Sequence, residues 1–244
     1  MTDAGGAEGV LVSVVMPVYN GERYLAEAIE GVLAQSYDPV ELIVVDDAST
    51  DSSAEVAAEY EGVRLIRREV NGGPARARNS GIEAVRGELM ALHDADDTSP
   101  PDRFAAQVAY LAETPSAGCV IGREKIVLEA GATMPTWLEG QRMAAPGSDG
   151  APSETPTYPT MTAMVRREVL ERVGGFDPEA GLGDDLDWMM RLHETVEVGK
   201  LDRVLVHRRF HQSNLTHDFD AMRASVTAAL AARIRRKRES EGGR

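Results

Sequence analysis

The sequence predicts an α/β fold with a mostly parallel central sheet covered by helices on both faces. The 244 residues, 43% hydrophobic and 27% charged, have the balance of a folded globular chain and suffice for one domain. Short apolar strands alternate with amphipathic helices through the first half of the chain. The links between them are short, and such alternation produces right-handed crossovers and parallel strands.

The first half predicts four strands, each followed by a helix. A β-branched run at 10–15 forms the first strand, and we expect Pro17 to end it. Asn20 then precedes a helix whose apolar residues share one face. Pro74 stands at the first position of a third helix, where its missing N–H costs nothing. The remaining strands are predicted at 41–45, 63–67 and 88–92. Later helices are predicted from about Ser52 to Tyr60, from Pro74 to about Arg86, and after Pro101 to about Glu113. The shared apolar face of the first helix comprises Leu25, Ile29, Val32 and Leu33.

The second half has a weaker pattern. A strand is predicted at 118–128, and the stretch 131–160, with four Gly and five Pro, reads as a long loop. A short helix to Val173, a helix at 185–194 and a strand at 196–206 follow. We expect residues 1–9 to be disordered and 218–244 to form a C-terminal helix with a basic tail.

Charge and cysteine content limit the function. A net charge of −14 argues against binding nucleic acid, a polyanion. Residues 233–244 are locally basic, which leaves open a peripheral membrane contact beside the simpler reading of a solvated helix end. With Cys119 as its only cysteine, and with neither a signal peptide nor an apolar run of roughly 18 residues, the chain is expected to be cytoplasmic.

Acidic residues follow two of the predicted strands. Because ligands bind beyond the carboxyl ends of parallel strands, these side chains are expected to meet in one crevice. A hard cation, Mg²⁺ or Mn²⁺, would relieve their repulsion and leave positions for phosphate oxygens. Helix capping and turn formation explain either cluster equally well when it is taken alone. The two clusters are Asp46 with Asp47, and Asp94 with Asp96 and Asp97.

Other phosphate- and cation-binding motifs are absent from the sequence. There is no GxxxxGK run followed by Ser or Thr, and the loop after the first strand carries no GxGxxG. A calcium loop starting at Asp94 would need Gly where Ser99 stands and Glu where Ala105 stands. A bound nucleotide would therefore be held through a metal and side chains, with Arg76 or Arg78 as candidate diphosphate contacts.

The order of these segments resembles glycosyltransferase family 2, inverting enzymes of the Rossmann-like GT-A fold. The resemblance covers most of the chain, about 12–216. It is carried by VSVVMPVYNGERYL, ELIVVDDASTD, NGGPARARNSGIEAVRGELMALHDADD and VGGFDP in succession. It implies a GT-A domain at 10–217, with a nucleotide-binding half at 10–100 and an acceptor-binding half at 101–217.

The resemblance also implies a donor site. Asp47 would accept a hydrogen bond from the nucleotide base, and Asp94 and Asp96 would form the DxD pair that holds ribose and metal. The share of Asp97 in coordination stays open. Three residues, Pro17, Tyr19 and Asn20, would form the wall of the nucleotide pocket, and Arg78 would lie near it.

The reaction is expected from the second half of the chain. Asp185 falls on the family's catalytic-base position, Asp184 stands where Glu is usual, and Arg191 follows two turns on. A carboxylate there could remove the acceptor's proton opposite the leaving group, whereas Asp187 reads as a charge of the first helical turn. We favour His211 over His207 as a metal ligand or diphosphate contact, and we expect Trp188 to pack in the core.

The predicted activity is inverting transfer of a sugar from a nucleotide diphosphate sugar, UDP-linked by preference, to an acceptor hydroxyl or thiol. Mn²⁺ or Mg²⁺ would assist direct displacement. The alternatives are a sugar nucleotidyltransferase, a non-catalytic nucleotide-sugar-binding module, and an acidic scaffold that docks membranes through its basic tail. The acceptor is open among peptide, lipid carrier, saccharide and small natural product.

Overall fold

A computed structural model describes residues 9–132, 159–212 and 214, together with 223–227, 229–231, 233–234 and 238 in the C-terminal part. The described residues contain one sheet of seven strands. These are β1 (Val12–Val18), β2 (Val40–Asp46), β3 (Val63–Arg67), β4 (Leu89–Leu92), β5 (Ala117–Leu128), β6 (Met164–Arg166) and β7 (Glu197–Phe210).

The sheet is mostly parallel, as predicted. Its strand order is β3-β2-β1-β4-β6-β5-β7, and the first four strands pair in parallel. β6 pairs antiparallel with both β4 and β5, while β5 and β7 pair in parallel. The two halves of the sequence therefore contribute to a single sheet, and β6 joins them.

Six α-helices surround this sheet within the described residues 9–132 and 159–212. They are α1 (Glu22–Leu33), α2 (Ser53–Ala58), α3 (Pro74–Glu83), α4 (Arg103–Glu113), α5 (Arg167–Val173) and α6 (Asp184–Thr195). Two 3₁₀ helices, Thr160–Thr162 and Pro178–Gly183, precede β6 and α6.

Helices cover both faces of the sheet, also as predicted. Val14 of β1 packs among apolar residues of α1, α2 and α4, whereas its neighbour Val15 packs among residues of α3, α5 and α6. Trp188 of α6 is fully buried and stacks on Phe176 at 4.8 Å, so its predicted core position is confirmed. Leu33 departs from the predicted face of α1, with 45% of its surface exposed.

Pro17 does not end the first strand. It pairs with Val45 inside β1, which runs on to Val18. The Val15 carbonyl accepts from the amide of His93, which follows β4, whereas the Val18 carbonyl accepts from the amide of Asp47, which follows β2. The backbone polar groups of successive β1 residues therefore face β4 and β2 in alternation. Pro17 faces the β4 side beyond the last paired residue, where its missing N–H removes no ladder bond.

Three sequence predictions fall on parts of the chain that lie outside the described residues. They concern disorder at 1–8, the loop at 133–158, and much of the C-terminal segment. Residues 223–227 are helical, and the Arg233 Nε atom lies 2.6 Å from Glu194 Oε1. No helix within the described ranges is both long and apolar enough to cross a membrane. The division into two functional halves stays a prediction.

Candidate active site

The predicted site residues gather at the carboxyl ends of four strands. Asp47 follows β2, Asp94 and Asp96 follow β4, and His211 follows β7. Pro17 lies near the end of β1, and Tyr19 and Asn20 follow that strand. Arg78 projects from α3, and Asp185 lies in the first turn of α6. Because parallel strands end at one edge of the sheet, the topology brings these separate segments together.

Three carboxylates form a compact cluster after β4. One oxygen each from Asp94, Asp96 and Asp97 lies within 4.8 Å of the others. His211 Nε2 lies 3.0 Å from Asp96 Oδ2, and the Asn214 amide donates to the same oxygen at 3.2 Å. Oxygen-rich donor sets of this kind suit Mg²⁺ and Mn²⁺, and an imidazole suits the latter, so the residues present fit the predicted cation.

Asp94 and Asp97 have pKa values above those of free carboxyls. Burial raises the pKa of Asp94 to about 6; Arg78 opposes this shift, while the charges of Asp96 and Asp185 add to it. Burial also raises the pKa of Asp97 well above its usual value, and Asp96 and Asp94 add to the rise. Repulsion between neighbouring carboxylates disfavours their ionised forms, and a bound cation would relieve that repulsion.

Arg78 joins the acid cluster to the predicted catalytic base. Its Nη1 lies 2.9 Å from Asp184 Oδ2 and 3.0 Å from Asp185 Oδ1, and its Nη2 lies 3.5 Å from Asp94 Oδ1. The side chain is 7% exposed, so these ion pairs are poorly screened by water. The guanidinium therefore contacts three carboxylates. That Arg78 also contacts a bound nucleotide stays a prediction.

Asp184 and Asp185 have different environments at the start of α6. The Asp184 side chain is 3% exposed, whereas that of Asp185 is 42% exposed. Burial raises the pKa of Asp184 to about 7, the charge of Asp185 adds to the rise, and Arg78 opposes it. Thr160 holds the turn by donating to the Asp185 carbonyl at 3.3 Å. Asp185 is therefore the member of the pair that an acceptor could reach.

Asp187 lies in the first turn of α6, as the sequence predicts. It is buried, and its Oδ2 accepts from Arg191 Nε at 2.8 Å one turn along α6. Arg191 in turn donates to the carbonyls of Val173 and Gly175. This ion pair fixes α6 against the turn of the VGGFDP motif, so its role is structural.

Asp47 lies in a pocket of hydrogen-bond donors beside the β1–α1 loop. It is buried, and its carboxylate accepts from Arg68 at 2.6 Å and from the amides of Gly72 and Gly73 at distances down to 2.7 Å. Across the loop, Asn20 has φ of 50° and its Oδ1 accepts from the Thr50 amide at 2.8 Å. Tyr19 next to it is 51% exposed, which leaves its ring free for contact.

Sequence reasoning missed two further arginines close to the acid cluster, Arg103, which is buried, and Arg208, which is partly buried. Arg103 of α4 is fully buried, and burial lowers its pKa to about 9, with Asp97 and Asp94 opposing the shift. Burial also disfavours the charged Arg208, but the charges of Glu124 and of the acid cluster more than compensate, and the net pKa is raised. One sequence signal was present for Arg103: it shares a helical face with Gln107 and the apolar Leu111, four and eight residues on.

His211 packs against the start of α1. Its ring stacks on Tyr24 with centroids 4.5 Å apart, and the Tyr24 hydroxyl donates to Glu129 at 3.0 Å. His207, the less favoured candidate, lies within β7, and its backbone pairs with Thr98. The structure thus brings His211, and not His207, to the carboxylates.

Known proteins match this chain in sequence and in fold. The Glycosyl transferase family 2 profile matches residues 13–174. Over 91 residues, 36% of this chain and 30% of the relative, the sequence is 43% identical to glycosyltransferase GlyG of Streptococcus pneumoniae. S. aureus TarS in complex with UDP-GlcNAc has a similar fold, with a TM-score of 0.68 at 21% identity over 85% of this chain and 60% of that one.

A second solved structure carries a metal. The mannosyltransferase PcManGT from Pyrobaculum calidifontis, in complex with GDP-Man and Mn²⁺, matches with a TM-score of 0.68 at 26% identity, over 92% of this chain and 64% of that one. The chain spans less than two thirds of each of these three proteins. The family match covers well over half of the chain and includes Arg78 and the acidic residues that follow β2 and β4. The chain belongs to glycosyl transferase family 2.

Proposed function

We propose that the chain is an inverting glycosyltransferase that transfers one sugar from a nucleotide diphosphate sugar to an acceptor hydroxyl or thiol. The observation that carries this proposal is the Arg78 bridge: this buried side chain pairs with Asp94 of the acid cluster and with Asp185. A donor-binding cluster and a base facing one cleft are the two parts that direct displacement needs.

Asp94, Asp96 and His211 would hold the divalent cation, with Asp97 beside them. When bound, the cation would neutralise charge on the diphosphate leaving group. The protein prepares this site by three contacts: the Arg209 amide donates to Asp97 Oδ1 at 2.9 Å, Asn214 donates to Asp96, and the ring of Tyr24 orients His211. Such supporting contacts fix the direction in which each ligand atom points.

Asp185 would accept the acceptor's proton. Its carboxylate is partly exposed, so a hydroxyl or thiol can reach it, and the contact with Arg78 restricts its orientation. Asp184, buried behind it, would share the positive charge of Arg78 and position that side chain. Attack from the Asp185 side, opposite the diphosphate, would invert the anomeric centre.

The donor is proposed to be a UDP-sugar. TarS is bound to UDP-GlcNAc and PcManGT to GDP-Man, so both nucleotides belong in the test. Asp47 would accept a hydrogen bond from the base, in exchange for one of its present donors, and Tyr19 would lie against the nucleotide.

The proposed location of the protein is the cytoplasm. The buried, reduced Cys119 supports a reducing compartment of this kind.

The experiment is a panel of UDP-, GDP- and dTDP-sugars, assayed for binding and slow hydrolysis with and without Mn²⁺. We expect one nucleotide to bind, with Mn²⁺ strengthening its binding and hydrolysis releasing the sugar. The Asp96→Ala variant serves as the control and should lose the Mn²⁺ effect. Binding of no nucleotide sugar under any condition would overturn the proposal, and binding without hydrolysis or transfer to any acceptor would favour a non-catalytic module.

A further inference from the structure

The fully buried guanidinium of Arg103 lies beneath the acid cluster. Its four hydrogen bonds within the described residues all go to uncharged acceptors: Gln107 Oε1 and Ser99 Oγ at 3.1 Å, and the carbonyls of Leu92 and Met161 at 2.8 Å. Burying a charge without an ion pair is costly unless its hydrogen bonds are satisfied. The protein thus keeps a charged group where an apolar side chain would have been cheaper to bury.

Two of these bonds join two separate segments of the site. Leu92 is the last residue of β4, two residues before Asp94, and Met161 lies in the 3₁₀ helix Thr160–Thr162. The same Nη2 atom donates to both carbonyls. Gln107 strengthens the link by donating to the Thr162 carbonyl at 2.8 Å. Arg103 therefore fastens the end of β4 to the 3₁₀ helix.

A second connection runs from Arg103 into the turn that carries the acid cluster. A carbonyl only accepts, so the 2.8 Å contact between His93 Nδ1 and the Asp94 carbonyl makes Nδ1 the donor. With the ring neutral, His93 Nε2 then accepts from the Ser99 hydroxyl at 3.1 Å, and Ser99 Oγ accepts from Arg103. In this series of three hydrogen bonds, Arg103 donates to Ser99, Ser99 donates to His93, and His93 donates to the Asp94 carbonyl.

The 3₁₀ helix also touches the base-bearing end of α6. Thr160 donates to the Asp185 carbonyl, and Met161 Sδ lies 3.9 Å from Arg78 Nη2. We infer that Arg103 is a positioning residue which sets the acid cluster and Asp185 at their working separation, by holding the turn 93–99 against the 3₁₀ helix. This inference rests on the proposed function, since the separation matters only where both groups act on one donor.

Arg166 offers a matched control. It is the last residue of β6, the short strand that follows the 3₁₀ helix Thr160–Thr162. It also clamps two carbonyls, donating to Ala117 at 3.0 Å and to Leu111 at 2.7 Å, but it lies away from the acid cluster. The test compares Arg103→Met with Arg166→Met by three readouts: thermal melting, Mn²⁺ affinity measured by calorimetry without nucleotide, and amide hydrogen exchange.

Arg103→Met is expected to weaken Mn²⁺ binding by about tenfold or more, the usual loss when a supporting contact of a metal ligand is removed. Amide exchange should rise in both 92–99 and 160–163. Arg166→Met should lower the melting temperature yet leave Mn²⁺ affinity and these two segments unchanged. Wild-type affinity and exchange in Arg103→Met, or an equal loss of affinity in Arg166→Met, would overturn the inference.

Two further arms separate this inference from the proposed function. Should Arg103→Met fail to fold, Ser99→Ala removes the hydroxyl through which Arg103 reaches His93, while the bonds of Arg103 to Leu92, Met161 and Gln107 remain. The same rise in exchange over 92–99 with weaker Mn²⁺ binding is expected, and no change would overturn the inference. If the wild type bound no Mn²⁺, the proposed metal site would be wrong, and exchange alone would decide on Arg103. If Mn²⁺ bound but no donor reacted, the proposed transfer would fail while the affinity comparison still held.

Discussion

His211 Nε2 lies 3.0 Å from Asp96 Oδ2, although 115 residues separate the two in the chain. The contact exists because β7, which ends at Phe210, runs parallel to β5 and delivers His211 to the edge where β4 also ends. An imidazole beside a carboxylate of the acid cluster favours a shared cation.

His211→Gln should weaken Mn²⁺ binding by about tenfold or more, because it removes the proposed imidazole ligand; the ring stacks on Tyr24, and the His211 amide donates to Asn214. Calorimetric titration with Mn²⁺ measures the loss. His207→Gln is the control, since His207 lies within β7, where its backbone pairs with Lys125 and Thr98, and the variant should keep wild-type affinity. Equal affinities in the two variants would remove His211 from the metal site.

Asp185→Asn should reduce transfer by about 10²–10⁴-fold, the usual contribution of a general base, because an amide cannot accept the acceptor's proton. Donor affinity should be unchanged, since the side chain lies on the acceptor side in the proposed mechanism. Single-turnover rates and donor titrations separate the two effects. Asp184→Asn should retain more activity, and a larger loss there than in Asp185→Asn would transfer the base role to Asp184.

Arg78→Met should destabilise the fold by about 3–5 kcal/mol, because it leaves Asp184 and Asp94 as buried carboxylates without their cation. Chemical denaturation measures the change. Arg76→Met on the same helix breaks only a pair with Glu179 whose side chains are 49% and 86% exposed, and should cost about 1 kcal/mol or less. Similar losses in the two variants would contradict the buried network.

Stability should fall as pH rises through the range in which Asp184 ionises. Its pKa is raised to about 7 in the fold but lies near 3.9 in an unfolded chain, so between these values the folded state binds more protons. Asp184→Asn mimics the protonated form. Its melting temperature relative to wild type should therefore increase from pH 4 to pH 7 and level off above.

The opposite slope is expected at Asp102. A hydrogen bond from Arg203 lowers the pKa of Asp102, so its ionised form is favoured in the fold and Asp102→Asn should be relatively worse at neutral pH than at acid pH. Parallel pH profiles for the two variants, measured by differential scanning fluorimetry, would show that the environment of Asp184 is not the cause.

Gly81→Ala should destabilise the protein by about 1–3 kcal/mol, because an added Cβ would lie 2.3 Å from Val15 Cγ1 where α3 crosses β1. Gly31→Ala in α1 should instead stabilise it by about 0.5–1 kcal/mol, since nothing lies within 4 Å and alanine favours a helix. Urea unfolding of both variants checks the signs. A neutral Gly81→Ala would mean that α3 can move away from the sheet.

Local patterns predicted what depends on local structure. The alternation of strands and helices placed Asp47 and Asp94 at strand ends, and the parallel topology then brought them to one edge. The start of α6 was predicted within one residue because its acidic first turn follows Gly183. The family resemblance, rather than periodicity, identified Asp185 and His211 as candidates.

Long-range pairing could not be predicted in the same way. β6 has only three residues, and nothing in its sequence shows that it runs antiparallel between β4 and β5. Arg78 and Arg103 look like surface helix charges because their partners lie on other elements. The burial of each follows from tertiary contacts, which local propensity does not encode.

The reversed direction of β6 governs how segment 133–158 is attached. β5 ends and β6 begins on the side of the sheet that carries the acid cluster, because β6 runs antiparallel to both of its neighbours. The strand ends that flank the segment, Leu128 and Met164, therefore lie at the same edge of the sheet as Asp94. A change of length between Ala132 and Pro159 should thus leave the ladder pairs of both strands in place.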